Sequence, residues 1–107
     1  MAKVDLGQVV PYTMYTQLSE VAPNISNADI TIENIMDGMV DNSVFTMAVW
    51  SPTYTGLALP DGIGNYVLLE VVKKQSTHIS VVIHDLDNNV LYTRGKYGGV
   101  VTAWKGV

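Results

Sequence analysis

The sequence predicts a mainly β domain, a small antiparallel meander or sandwich with one short helix and an extended N-terminal arm. Three observations predict it. Val, Ile and Thr supply 32 of the 107 residues, a β-branched bias that suits a pleated surface. From Asn42 onward, apolar residues recur with a period of two. Clusters of turn-forming residues then interrupt the apolar runs roughly every ten residues, the spacing of hairpin-connected strands.

The elements follow in order. Residues 1–26 alternate apolar and polar without a sustained period and carry Pro11 and Pro23. They read as an arm with a short strand at Val4–Val10, then irregular chain through Tyr12, Tyr15 and Leu18. Such an arm has little to pack against by itself and is expected to lie on a neighbour. Ser26-Asn27-Ala28-Asp29 has the form of a capping box. Ile32, Ile35, Met36 and Met39 follow at helical spacing, and Gly38 stands where a C-terminal cap would. This predicts a helix over about Asp29 to Asp37, with a strand through Ile30 and Ile32 as the rival. Residues 27–107 form the domain proper. Val44–Trp50 is a strand ended by Ser51-Pro52, and a loop with Gly56, Pro60, Gly62 and Gly64 follows. Tyr66–Val72 is apolar on both faces, as a central strand is. Lys73–Ser76 reads as a turn, and His78–His84 as a strand with Ile79, Val81 and Ile83 toward the core. Asp85–Asn89 carries turn chemistry, Val90–Arg94 returns, and Tyr97-Gly98-Gly99 leads into a last strand, Val100–Trp104.

Composition bounds the function. Charged residues are 15% and apolar residues 48%, which is not the make-up of a disordered chain. Absence of cysteine excludes a disulfide framework, thiolate zinc sites and cysteine catalysis. Six basic against ten acidic side chains, net −4, argue against a protein that tracks nucleic-acid phosphates. The start, Met1-Ala2-Lys3-Val4-Asp5, lacks an apolar h-region, so no signal peptide is expected. The longest uncharged run, Asn42 to Pro60, contains Ser, Pro, Thr and Gly and does not read as a membrane span. So few charges on so small a body leave apolar surface over, which predicts a homo-oligomer.

Motifs for chemistry are weak. His78 and His84 lie in one strand about 20 Å apart at ~3.3 Å per residue, too far to share an ion. They share a face with Ser80 and Val82, read as solvent or interface; a metal held by one His and its symmetry mates is the sharper alternative. Asp85–Asn89 opens like a calcium loop, but Val90 stands where Gly is required and Lys96 where a bidentate Glu belongs. Gly62-Ile63-Gly64 lacks the third glycine of a dinucleotide loop and leads into a strand. Carboxylates such as Asp85 and Asp87 sit in a turn, where little burial is expected to raise a pKa. Asn24-Ile25-Ser26 matches a glycosylation sequon, read as chance. The chain is therefore read as non-enzymatic, with no cofactor and no metal. Trp50, Tyr66, Tyr92 and Trp104 are expected to close the core. Tyr54, Asn65, Lys96 and Tyr97 are candidate ligand contacts in loops, and Arg94 is expected to pair across strands or with a neighbouring subunit.

The C-terminal two-thirds, roughly Asn27 to Val107, resembles the pyocin-knob family of bacteriophage tail-fibre and bacteriocin-fibre domains. The matching patterns are Leu59-Pro60-Asp61-Gly62, the strands Val67–Val72 and Ile79–Ile83, and the ending Leu91-Tyr92-Thr93-Arg94, a glycine turn, and Thr102-Ala103-Trp104-Lys105. Met1 to Val10 looks like the opening of phage fibre proteins. The resemblance implies a homotrimer, located in the virion and assembled in the host cytoplasm. Its arm (Val4, Leu6, Val9, Val10, Tyr12, Tyr15) would hold other copies or virion proteins, and the knob would meet a bacterial surface glycan. The leading expectation is a tail or head fibre knob for host attachment. A capsid decoration or baseplate protein that binds only virion proteins, and a stand-alone carbohydrate-binding module, are the alternatives.

Overall fold

The computed structural model describes residues 25–106 and the backbone of residues 14–16. Val4, Leu6, Val9, Val10 and Tyr12, with the strand expected at Val4–Val10, lie outside the described residues, and of Tyr15 only the backbone is described.

The architecture is a single sheet with one helix: β1 Met14–Thr16, α1 Ile32–Gly38, β2 Ser43–Trp50, β3 Tyr66–Gln75, β4 His78–Asp85, β5 Val90–Tyr97, β6 Val100–Val101 and β7 Lys105–Gly106. β2 to β5 form an antiparallel meander; β6 and β7 both pair with β5, and β1 adds to β2 in parallel. The mainly β class and the meander hold. Among the described residues there is one sheet, so they form the meander and not a two-sheet sandwich. Met14–Thr16, expected as irregular chain, is a short edge strand in register with Ser43–Phe45.

Alternation places one parity of β2, β3 and β4 on a covered face. Phe45 and Val49, Val67, Leu69 and Val71, and Ile79, Val81 and Ile83 are buried there in matching rows. The cover is α1 with Ile30, Ile32, Ile35, Met36 and Met39, together with Leu57 of the β2–β3 connection. Tyr92 and Trp104 pack against this core from the β5 side, as expected of them.

The helix starts later than the sequence suggested, because a second capping box wins. The Thr31 hydroxyl accepts from the Asn34 backbone N–H at 3.0 Å, and the Thr31 N–H donates to the Asn34 side-chain oxygen at 3.1 Å. This start puts Ile32, Ile35 and Met36 on the sheet. Ser26 and Asp29 form a preceding turn instead, with the hydroxyl donating to the carboxylate at 2.8 Å. The helix ends without a basic residue of its own. Lys73, expected in a turn, extends β3 and is buried, and its ammonium donates to the Met36 and Met39 carbonyls at 2.7 and 2.9 Å. A cation on the last carbonyls both satisfies them and complements the helix dipole. The β3–β4 turn is correspondingly moved to Ser76-Thr77.

Of the expected last strand, Val100–Trp104, only Val100–Val101 pairs; Thr102 to Trp104 leave the ladder, and Lys105–Gly106 beyond them returns to β5. There the Thr102 hydroxyl accepts from the Gly95 N–H at 2.9 Å, and the Trp104 indole donates to the Ala58 carbonyl at 3.0 Å. Arg94 lies over the Trp104 ring, 5.3 Å from its centroid, and pairs with Glu33 of α1 at 3.1 Å. The partner expected for Arg94 across a strand or subunit is therefore the helix. Among the described residues no helix is long and apolar enough to cross a membrane.

Candidate functional site

The other parity of the same strands has no cover among the described residues. Read across the register, its rows are Trp50 and Tyr66; Ala48, Leu68, His84 and Leu91; Thr46, Glu70, Val82, Thr93 and Lys105; and Val44, Val72, Ser80 and Gly95. An antiparallel sheet that meets water on one face normally turns polar residues outward there. Here Trp50 (43% exposed), Tyr66 (57%), Leu68 (41%), Val72 (40%) and Leu91 (41%) face outward instead. One exposed Leu needs no explanation, but five large apolar side chains outward on one face, among Thr46, Glu70, Ser80, His84, Thr93 and Lys105, do.

Two expectations are corrected by this parity. Trp50 and Tyr66 do not close the core. They stand on the outer face as an edge-to-face pair, ring centroids 4.9 Å apart at 64°. The reason is register: Trp50 is one residue past the buried Val49, and Tyr66 one before the buried Val67.

The four expected ligand contacts do not form one surface. Asn65 is exposed beside the start of β3, and its carbonyl accepts from the Ser51 N–H at 2.8 Å. Tyr54 is half-buried and packs on the core from between two 3₁₀ turns. Lys96 and Tyr97 end β5 at the opposite end of the sheet, paired with Ile79 and His78. They also point to opposite faces, Lys96 to the covered one and Tyr97 to the open one. The Tyr97 ring lies back over Gly95, where a Cβ would come within 2.6 Å of the phenol oxygen. Beside it, at the β5 edge, is a hollow of about 310 Å³ lined by Thr93, Arg94, Tyr97, Thr102, Ala103 and Lys105.

The carboxylates of the β4–β5 turn are builders of structure. Asp85 is fully buried. One of its oxygens accepts from the Asp87 and Asn88 N–H groups at 3.1 Å each, the other from the Gly64 N–H at 2.9 Å and the Asn88 amide at 2.8 Å. Burial alone would raise its pKa; the Asn88 side chain and the Gly64, Asn88 and Asp87 N–H groups outweigh that and hold it below the usual aspartate value. Asp87 clamps the other side, accepting from the Asn65 N–H at 2.7 Å. The pair thus ties the start of β3 to the β4–β5 turn, and both Asp85 oxygens face donors. Among the described residues no group of three His, Asp or Glu is placed to hold a metal.

His78 and His84 lie on the open face, as their spacing predicted. His84 sits between Leu68 and Leu91 with its Nε2 3.2 Å from the Asn89 side-chain oxygen. The open face itself is half legible in the sequence: Tyr66–Val72 is apolar on both parities, and Glu70 marks which parity faces out.

No protein-family model matches the chain, and neither a curated protein nor a solved structure matches it.

Proposed function

We propose that the protein is a non-enzymatic structural component of a bacteriophage virion, a homotrimeric tail- or head-fibre knob that contacts the host surface. The observation that carries this reading is the open sheet face, where Trp50, Tyr66, Leu68, Val72 and Leu91 stand outward without cover among the described residues. The resemblance of the Leu91–Lys105 ending to fibre-knob domains points the same way. Copies are held together and to other virion proteins, with residues 1–26 as the attachment arm; the knob's remaining surface is left for a bacterial glycan. No cofactor or metal enters this function.

Light scattering on a size-exclusion column tests it. A mass about three times the 11.7 kDa of the chain is the expected result, and a clean monomer overturns the trimer. Binding of the labelled trimer to bacterial cells, against binding to purified capsids or tails, then separates a host-attachment knob from a decoration or baseplate part. One observation favours a second reading, a stand-alone sugar-binding module: the exposed Trp50–Tyr66 pair offers ring faces to the CH groups of a pyranose. That reading predicts a monomer whose Trp50 emission changes on titration with neutral oligosaccharides.

A further inference from the structure

We infer that the hollow at the β5 edge binds one acidic sugar unit, a pyranose carrying a carboxylate, with Lys105 meeting the carboxylate and Tyr97 walling the ring. The inference rests on the reading of the knob as a surface that meets a bacterial glycan, and it names the place and the sugar class.

A break in the outer ladder makes the hollow. β7 pairs with Tyr92 and Thr93, and β6 pairs with Lys96 and Tyr97. Between them Arg94 and Gly95 have no strand on that edge, and residues 102–104 leave the ladder. The departing segment is tied down at both ends. Thr102 accepts the Gly95 N–H on its hydroxyl at 2.9 Å and donates its own N–H to the Gly95 carbonyl at 2.8 Å. The Trp104 indole donates to the Ala58 carbonyl at 3.0 Å. Walls held in this way need little ordering when a ligand enters. The volume, about 310 Å³, stands at the low end for small-molecule sites and suits one ring-sized unit.

Gly95 shapes one end. A Cβ there would stand 2.6 Å from the Tyr97 phenol oxygen and 2.7 Å from the ring carbon that bears it. Without that Cβ the ring lies down along the strand and presents an apolar body with a polar tip. Thr93 is two residues beyond Gly95, ~7 Å along the strand, and faces Lys105 directly across the β5–β7 pair. Those two close the other end.

The polar groups decide the class of ligand. Among the described residues the Thr93 hydroxyl, the Tyr97 phenol and the Lys105 ammonium have no hydrogen-bond or ion-pair partner. Arg94, also in the lining, is engaged by Glu33 and Trp104. No carboxylate lines the hollow. Glu70, the acid in the register row of Lys105, is three strands away, ~14 Å across the sheet. The lining therefore offers hydroxyl groups for ring hydroxyls and one unbalanced positive charge. A single ammonium matches a carboxylate, whereas a phosphate monoester brings a charge of about −1.5 to −2.

The test is a nuclear magnetic resonance titration of the full chain, following backbone amides, with D-glucuronate, D-glucose and acetate as probes. Glucuronate should move the amides of Gly95, Thr102, Ala103 and Lys105 and saturate, with glucose and acetate each about tenfold weaker or more. Lys105→Gln should weaken glucuronate about tenfold, to the level of glucose. Tyr97→Ala should weaken both sugars, and both variants should keep the wild-type spectrum away from the hollow. Acetate that matches glucuronate reduces the hollow to an anion site and overturns the sugar. Glucuronate that moves nothing, moves Trp50 and Tyr66 instead, or binds Lys105→Gln as it binds wild type overturns the hollow. The glycan reading is read separately, from binding of the labelled wild type to bacterial cells. Wild type that binds cells while glucuronate misses the hollow keeps that reading and discards this site; wild type that ignores cells discards the reading even where glucuronate fills the hollow.

Discussion

The two faces of this sheet are built from the same strands and both carry large apolar residues, yet only one of them is covered. On the covered face Phe45, Leu69, Val71, Val81 and Ile83 are completely enclosed. One residue along each strand, Leu68, Val72 and Leu91 stand outward about 40% exposed, and Val82 is partly exposed beside them. Hydrophobicity alone does not distinguish these sets. What distinguishes them is the rest of the described chain: α1, the β2–β3 connection and Trp104 all fall on one side. The covered face therefore carries the stability of the single chain, and on the function proposed above the open face is the one left for association. Substitutions on the two faces should separate accordingly.

The largest effect belongs to the covered face. Phe45→Ala removes an enclosed ring beneath α1 and should cost about 3–5 kcal/mol of unfolding free energy. Urea denaturation followed by circular dichroism reads it directly. A loss below about 1 kcal/mol would break the comparison, because the covered face would then not be the core. The matching change on the open face is Val72→Thr, one residue past the enclosed Val71. It should leave single-chain stability within about 0.5 kcal/mol of wild type in the same urea titration.

Next in size is the Asp85 clamp, at the end of the sheet where both faces meet the turn. Asp85→Ala leaves the Gly64, Asp87 and Asn88 N–H groups and the Asn88 amide without their acceptor. The loss should be roughly 2–4 kcal/mol. Its pH dependence has a definite sign. The folded carboxyl titrates below its unfolded value, so its contribution is fully present above the ordinary aspartate value and is lost as pH falls through the folded value. Thermal melts should show wild type losing stability below about pH 4 more steeply than Asp85→Asn. Parallel slopes would remove the clamp from the argument.

These contrasts bear on what the sequence could tell. Period-two alternation made β2 to β5 legible, and Ile79, Val81 and Ile83 were assigned to the core side without error. Trp50 and Tyr66 were not, because large aromatics at strand ends look like core and alternation says only that two faces exist. Lys73 misled in the opposite direction. A lysine reads as exposed, and only the approach of the Met36 and Met39 carbonyls, more than thirty residues away in sequence, gives its ammonium a buried place. Asp85 and Asp87 were legible as a turn, but their reach to Gly64 and Asn65 depends on the fold. Local chemistry was readable and long-range partners were not. Tyr54, Asn65, Lys96 and Tyr97 read in the sequence as loop polars and aromatics, and the meander carries them to two ends of the sheet.

The smallest expected effect sharpens the comparison at its rim. Glu33 of α1 reaches Arg94 at 3.1 Å, where the cover of one face meets the β5 edge. The Glu33 side chain is 54% exposed and Arg94's 14%, so water screens the pair from one side only. Arg94 keeps its stacking on Trp104 whether or not the carboxylate is present. Glu33→Gln should therefore cost about 0.5 kcal/mol or less. The difference should vanish in 1 M salt, where the screening length falls to about 3 Å. A salt-independent loss above about 1.5 kcal/mol would mean that the ion pair, rather than the apolar contacts of Ile32, Ile35 and Met36, seats the helix on the sheet.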